Sequence, residues 1–204
     1  MKKFQTIKLN KQHGFTLVEL AIATSIFSIV LLVLMTSVIK ITDDYYRGIT
    51  QAATQNTARN IINTISQAIQ FGGGGVNAVA PSGDGSQGYC INGQLYSYLV
   101  GYEVEPNPVS SANQAYHGLL VSTGGCSAAQ SLTSLSSTGQ ELLGQNMRLA
   151  VFSITPLPGW AISYMVEVRV VYGSNDLLAN GITSGPNVTC SGTNNLSRFC
   201  AVSD

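Results

Sequence analysis

The feature that most constrains this chain is a stretch of 25 residues, Phe15 to Ile39, that carries a single ionisable group, Glu19. At a rise of about 1.5 Å per residue, a helix of that length crosses a hydrocarbon core of about 30 Å. The segment therefore reads as a transmembrane helix. Lys2, Lys3, Lys8 and Lys11 precede it, whereas Lys40 and Arg47 behind it are offset by Asp43 and Asp44. The positive-inside bias then puts the N-terminus in the cytoplasm and everything after Ile39 outside. An ordinary secretory signal competes with this reading, because Ala21-Ile22-Ala23 fits a small-x-small cleavage pattern. Only Phe15 to Leu20 separate Gly14 from that site, one of them is Glu19, and the apolar run continues past it. These facts disfavour it.

A carboxylate in an apolar helix is expensive and is kept there for pairing or function. A carboxyl resting near the membrane interface, protonated or snorkelling, would account for Glu19 alone but would leave Gly14 and the abrupt charge change around it unexplained. A cut after Gly14 accounts for all three. Phe15 then acquires a free ammonium, with Glu19 four residues further along the same helix. Between subunits staggered in a helical bundle, that carboxylate can meet the ammonium of a neighbour and neutralise both charges in an apolar core. An unpaired buried charge costs several kcal/mol, so misregistered stacking is penalised.

Lys2-Lys3 through Gly14, followed by Phe15-Thr16-Leu17-Val18-Glu19-Leu20, resembles the class III signal of type IV prepilins. The resemblance is strong over Gly14 to about Asp43. It implies cleavage between Gly14 and Phe15 by a membrane-embedded prepilin peptidase, which is also the N-methyltransferase of the new Phe15 amine. It also implies extraction of the helix into a pilus or pseudopilus through other pilin subunits and an inner-membrane assembly platform. In that family the residue matching Gly14 is needed for cleavage and the one matching Glu19 for methylation or assembly. The leader of 14 residues is long for the class, and position 36 is Thr where many major pilins carry a helix-kinking proline.

Past Ile39 the helix continues, because Ala58, Ile61, Ile62, Ile65, Ala68 and Ile69 share one amphipathic face. No proline interrupts Phe15 to Gln70, and Gly72-Gly73-Gly74-Gly75 stops the run. That glycine run follows a helix and lacks a Gly-Lys-Ser/Thr ending, so it reads as a link and not as a phosphate cradle. Strand signals lie at Gln94 to Glu105, His117 to Ser122, Met147 to Thr155 and Ala161 to Tyr172, the last with charge at Glu167 and Arg169 alternating with apolar positions. Between them, Gly72 to Gly88, Ser110 to Gln114, Gly124 to Gly139 and Ser174 to Asn195 are rich in Gly, Ser and Asn and read as long surface loops.

The expected fold is therefore α+β. A long N-terminal helix, transmembrane in its first half and amphipathic in its second, packs on a head built as one antiparallel sheet of about four strands with long loops. The chain divides into a leader over 1–14, an assembly helix over 15–41, an amphipathic continuation over 42–71 and an extracytoplasmic head over 72–204. Cys90, Cys126, Cys190 and Cys200 include no C-x-x-C pair, and only His13 and His117 could join them, so two disulfides in an oxidising compartment are expected instead of a metal site. Spacing favours Cys190–Cys200 and Cys90–Cys126, with the two other pairings open.

Beyond Gly14 the chain carries six basic and ten acidic groups, which gives no electrostatic footprint for nucleic acid; after Arg59 only Arg148, Arg169 and Arg198 are basic. No G-x-S-x-G elbow, phosphate loop, H-E-x-x-H or acid–base cluster around His117 marks an enzyme, and no cofactor or small-molecule substrate is expected. Tyr45, Tyr46, Tyr96, Tyr98, Tyr102 and Tyr116 could form a binding surface, although half-buried packing positions explain them better. Asn187-Val188-Thr189 and Asn195-Leu196-Ser197 match the glycosylation sequon, which a short Asn/Ser-rich loop produces by chance. The expected function is that of a structural subunit, a minor pilin, placed first in the cell membrane and then in an extracellular or periplasmic filament. A secretion or competence pseudopilin and a membrane-anchored adhesin or DNA-binding module are the alternatives.

Overall fold

The computed structural model of the chain describes residues 14–73, 75–109, 113–159, 163–191 and 199–203. The basic leader, the first two residues of the strand expected from Ala161, the sequon at Asn195 and Arg198 lie outside the described residues. The chain forms two compact units, Met1–Thr42 and Asp43–Asp204.

A single helix, α1, runs from Leu17 to Phe71, 55 residues without a break. It ends where a side chain stops being tolerable. A Cβ on Gly72 would lie 2.4 Å from the Ala68 carbonyl and 2.5 Å from the Asn92 Cβ, and Gly73 follows at φ +58°. In the first unit α1 is predominantly apolar, and its large apolar side chains from Leu17 to Ile41 are exposed. In the second unit it is one-sided: Thr50, Thr54, Ala58, Ile61 and Ile65 are buried, at the three- and four-residue spacing of one helical face.

The described strands are β1 (Val76–Val79), β2 (Gln87–Ile91), β3 (Gln94–Tyr98), β4 (Glu103–Val104), β5 (Gln114–Ala115), β6 (Leu119–Ser122), β7 (Gln140–Glu141), β8 (Met147–Pro156), β9 (Tyr164–Tyr172) and β10 (Ala201–Val202). They form a five-stranded sheet in the order β1-β2-β3-β6-β7, a three-stranded sheet in the order β10-β9-β8, and a short parallel pair, β4 with β5. This corrects the expectation of one antiparallel sheet of about four strands. The segment from Gln94 to Glu105 breaks at Gly101, whose φ of +86° cannot continue a strand, so its second half pairs elsewhere. The stretch from Gly72 to Gly88, read as a loop, contains β1 and the start of β2.

Both faces of the five-stranded sheet are covered. On one, Ala58, Ile61 and Ile65 of α1 join Ile91, Tyr96, Tyr98, Leu119, Leu149, Phe152 and Val170 in the main core, which the five- and three-stranded sheets share. On the other, Leu99, Ala115, Leu120 and Leu132 form a smaller core beneath the long loops. A third cluster, with Ala150, Val171, Leu177, Leu178, Val188 and Cys200, closes the far side of the three-stranded sheet. Burying these side chains supplies most of the head's stability, at about 25 cal/mol per Å² of apolar surface. Cys90 is bonded to Cys126 with S–S 1.96 Å, tying β2 to the loop after β6, and Cys190 to Cys200 with S–S 2.13 Å, closing the C-terminal loop against β10.

Candidate functional site

The start of α1 is built by Thr16 and Glu19. Thr16 donates its backbone N–H to Glu19 Oε2 at 3.0 Å and its hydroxyl to the same oxygen at 2.9 Å. In return the Glu19 N–H donates to Thr16 Oγ1 at 3.2 Å, and Leu20 N–H closes the first helical turn on the Thr16 carbonyl. This reciprocal pair is a capping box, satisfying amide donors that a helix start leaves without intrahelical partners. The Thr-x-x-Glu spacing that announces it is present in the sequence, where the apolar setting of Glu19 points only to an intersubunit role.

The box uses one carboxylate oxygen. Among the described residues Oε1 accepts no hydrogen bond, so a neighbouring cation could use it without undoing the cap. Glu19 is held at the amide of residue 16, one residue from Phe15. Phe15 is 84 % exposed and Gly14 is exposed beside it. A Cβ built on Gly14 would meet nothing within 4 Å, so this chain's own fold does not require glycine there. If a side chain at position 14 is excluded, an outside partner excludes it.

Polar side chains inside the apolar part of α1 bond to their own backbone. Thr24 reaches the Ala21 carbonyl, Ser25 that of Ile22 and Ser28 that of Thr24, while Thr36 and Ser37 both donate to the Val33 carbonyl at 2.9 and 2.8 Å. Each hydroxyl thereby stays satisfied in a medium without water.

In the head, the structure separates candidates that sequence grouped together. Arg148 is fully buried, donating to Glu103 Oε2 at 3.0 Å, to the Gly173 carbonyl at 2.8 Å and to Asn175 Oδ1. It is thus a core residue and offers nothing to a nucleic acid. Burial pushes the Glu103 carboxyl up and the Arg148 guanidinium down, each against the attraction of the other. Arg169 is half-buried, with Nη1 donating to the Pro186 carbonyl. Tyr96 and Tyr98 are buried and Tyr102 and Tyr116 half-buried, leaving Tyr45 and Tyr46 on α1 exposed.

His117 has an acid neighbour that sequence did not show: its Nδ1 lies 3.3 Å from Glu141 Oε2. That carboxylate already accepts the backbone N–H groups of Gly118, Leu119 and Leu143, which organise the turn around it. Burial pushes the Glu141 carboxyl up, against the amides of Leu119, Leu143 and Gly118 and the His117 ring, which hold it down. Asp84 plays a similar part, accepting from the Ser86 amide, the Ser131 hydroxyl and the Thr133 amide and hydroxyl, and so clamping two loops together. Burial opposes its ionisation, but these donors outweigh it and hold the carboxyl well below the usual carboxylate range.

A family model described as the prokaryotic N-terminal methylation motif matches residues 9–35. No curated protein and no solved structure gives a significant match. Residues 9–35 are therefore the class III signal of type IV prepilins, and the long apolar helix that contains most of them fits membrane anchoring. The chain is type IV pilin-like in this segment. The motif implies processing by a prepilin peptidase and assembly with other pilins.

Proposed function

We propose that this chain is a structural subunit, a minor pilin, of a type IV pilus-like filament. Prepilin peptidase cuts the bond between Gly14 and Phe15, the same enzyme methylates the Phe15 amine, and an inner-membrane platform draws the helix from the bilayer into the filament. The head stays outside the membrane throughout, first tethered by a single-pass helix whose N-terminus is cytoplasmic. The protein acts as a building element and not as a catalyst.

The observation that carries this reading is the junction at residues 14–19 inside a matched methylation motif. A glycine that the fold itself does not need precedes a phenylalanine, and the sole carboxylate between Phe15 and Ile39 is held at the neighbouring amide. After cleavage Glu19 Oε2 remains in the capping box, while Oε1 faces an environment in which a neighbour's Phe15 ammonium would be its natural partner. Pairing there cancels two charges that would each cost several kcal/mol in an apolar bundle, so subunit register follows from charge. The burial of Arg148 weakens the competing nucleic-acid reading, because it removes one of three head arginines from the surface.

The test is intact mass and N-terminal sequencing of the chain from its native membrane. A start at Phe15 carrying about 14 Da of added methyl is the expected result. A start at Met1, or after Ala23, would overturn the proposal and leave a tethered or secreted domain.

A further inference from the structure

Tyr45 and Tyr46 are neighbours on α1 but serve different sides of it. The Tyr46 ring packs on Phe199 of the head, with centroids 6.1 Å apart, whereas Tyr45 meets Tyr46 edge-on at 6.0 Å and stays 65 % exposed. At about 100° of turn per residue, Tyr45, Gly48, Ile49 and Ala52 fall within one arc of about 100°, and all four are exposed. Asp43, Asp44 and Arg47 fall instead within about 120° of arc together with the buried Thr50 and Thr54. Arg47 shares a cavity wall with Val188 and Val202, which marks that side as the one turned to the head. From Asp43 to Thr54, therefore, every charge lies on the head side and the opposite side is apolar. In sequence, Ile41 and Val38 precede Tyr45 at the same helical spacing, so the apolar stripe is continuous with the segment read as spanning the membrane.

We infer that the face of α1 carrying Tyr45 and Ile49 docks on the headgroup layer of the outer membrane–water interface, with the charged side turned to water. Tyrosine suits that layer, because its ring is apolar and its hydroxyl reaches water. Dimensions decide how the stripe gets there. The 25 residues from Phe15 to Ile39 make about 37 Å of helix against a hydrocarbon core of about 30 Å, and such an excess is taken up by tilt. In an upright helix Ile49 would lie about 15 Å past Ile39, beyond a headgroup layer of about 5–8 Å. A lean toward the Tyr45 side brings it back, and the one-sided placement of Asp43, Asp44 and Arg47 selects that direction over the others. The inference rests on membrane anchoring of α1, and it needs neither cleavage after Gly14 nor assembly.

The experiment is nitroxide accessibility in the full chain, one copy per phosphatidylcholine nanodisc. The four native cysteines are paired, so a single added cysteine can be labelled without reductant. Labels are placed through Tyr45→Cys and Ile49→Cys on the stripe, Asp44→Cys and Arg47→Cys on the other side, and Leu31→Cys as the control for anchoring; all five positions are exposed. Relaxation by oxygen, which concentrates in lipid, is compared with relaxation by a water-soluble nickel chelate. The expected result is oxygen-dominated relaxation at 31, 45 and 49 and nickel-dominated relaxation at 44 and 47, a reversal between adjacent residues. Oxygen dominance at 31 followed by a smooth change to nickel through 44, 45, 47 and 49 would overturn the inference and leave the anchoring intact. Nickel dominance at 31 would overturn the anchoring and the inference with it. Shielding of 45 and 49 from both reagents, with spin–spin broadening once two copies share a disc, would assign the stripe to a second copy and likewise overturn the inference.

Discussion

Replacing Glu19 by glutamine separates the helix cap, which the structure shows, from the pairing with a neighbouring subunit proposed for the same carboxylate. The side-chain amide oxygen introduced by Glu19→Gln can still accept from the Thr16 N–H and hydroxyl, now 3.0 and 2.9 Å from Glu19 Oε2, so the helix start remains capped. What is lost is the negative charge that the proposed pairing places opposite a neighbour's Phe15 ammonium. Leaving one member of a buried ion pair without its partner costs about 3–5 kcal/mol, which corresponds to an incorporation loss of about 10²- to 10⁴-fold. Thr16→Ala performs the reverse operation. It removes the cap, at about 1 kcal/mol, and keeps the charge, so its incorporation should fall by less than about tenfold. The assay is the ratio of mature chain in sheared filaments to mature chain in the membrane, measured in the same cells for parent, Glu19→Gln and Thr16→Ala. If Glu19→Gln assembles within about tenfold of the parent while Thr16→Ala does not, the cap matters and the charge pairing is wrong.

Three further outcomes are expected. Gly14→Leu leaves the fold unchanged, because the position has open space around it, but the precursor stays full length in the membrane; a mature band on an immunoblot would remove Gly14 from the cleavage site. Glu103→Gln strands the fully buried Arg148 without a counter-charge, at about 3–5 kcal/mol or a drop in Tm of roughly 6–20 °C, whereas joint replacement by Glu103→Leu and Arg148→Met costs less than the single change; thermal melts of the three proteins decide. Asp84→Asn loses charge-assisted hydrogen bonds across two loops, about 1–3 kcal/mol after allowance for partial exposure. Because the Asp84 carboxyl titrates below its unfolded value, that contribution is fully present above about pH 4 and fades as pH falls through the folded pKa, so the gap between parent and variant should be constant near neutrality and close in acid.

Sequence shows the parts of this molecule whose signal is long. The helix from Leu17 to Phe71 follows from an apolar run, then a helical spacing of isoleucines, then glycines. Strands β8 and β9 follow from alternation over about ten residues. Strands β1 and β2 are four and five residues long and lie among Gly and Ser, too short for periodicity to register. One local signal did mark their neighbourhood: Asn92-Gly93 joins β2 to β3, with φ of +53° and +75°, as a two-residue hairpin turn requires. Arg148 was unreadable from sequence because its burial depends on Glu103, Gly173 and Asn175, which come together only in the folded head. Likewise, apart from Ser86, the partners of Asp84 lie 47 and 49 residues away.

The hydroxyls of Thr24, Ser25, Ser28, Thr36 and Ser37, each turned back on a carbonyl of its own helix, make the segment indifferent to what surrounds it. A polar group that depends on water or on a neighbouring chain must be desolvated and partnered anew whenever its surroundings change, at about 1–3 kcal/mol for a hydroxyl. Here no such step arises. In the proposed transfer from bilayer to filament, acyl chains on one side and apolar helices on the other would present the same contact chemistry to the apolar part of α1, so the move would be nearly isoenergetic for everything except its charged end. Direction can then be set by that end alone, and by whatever force is applied to the protein.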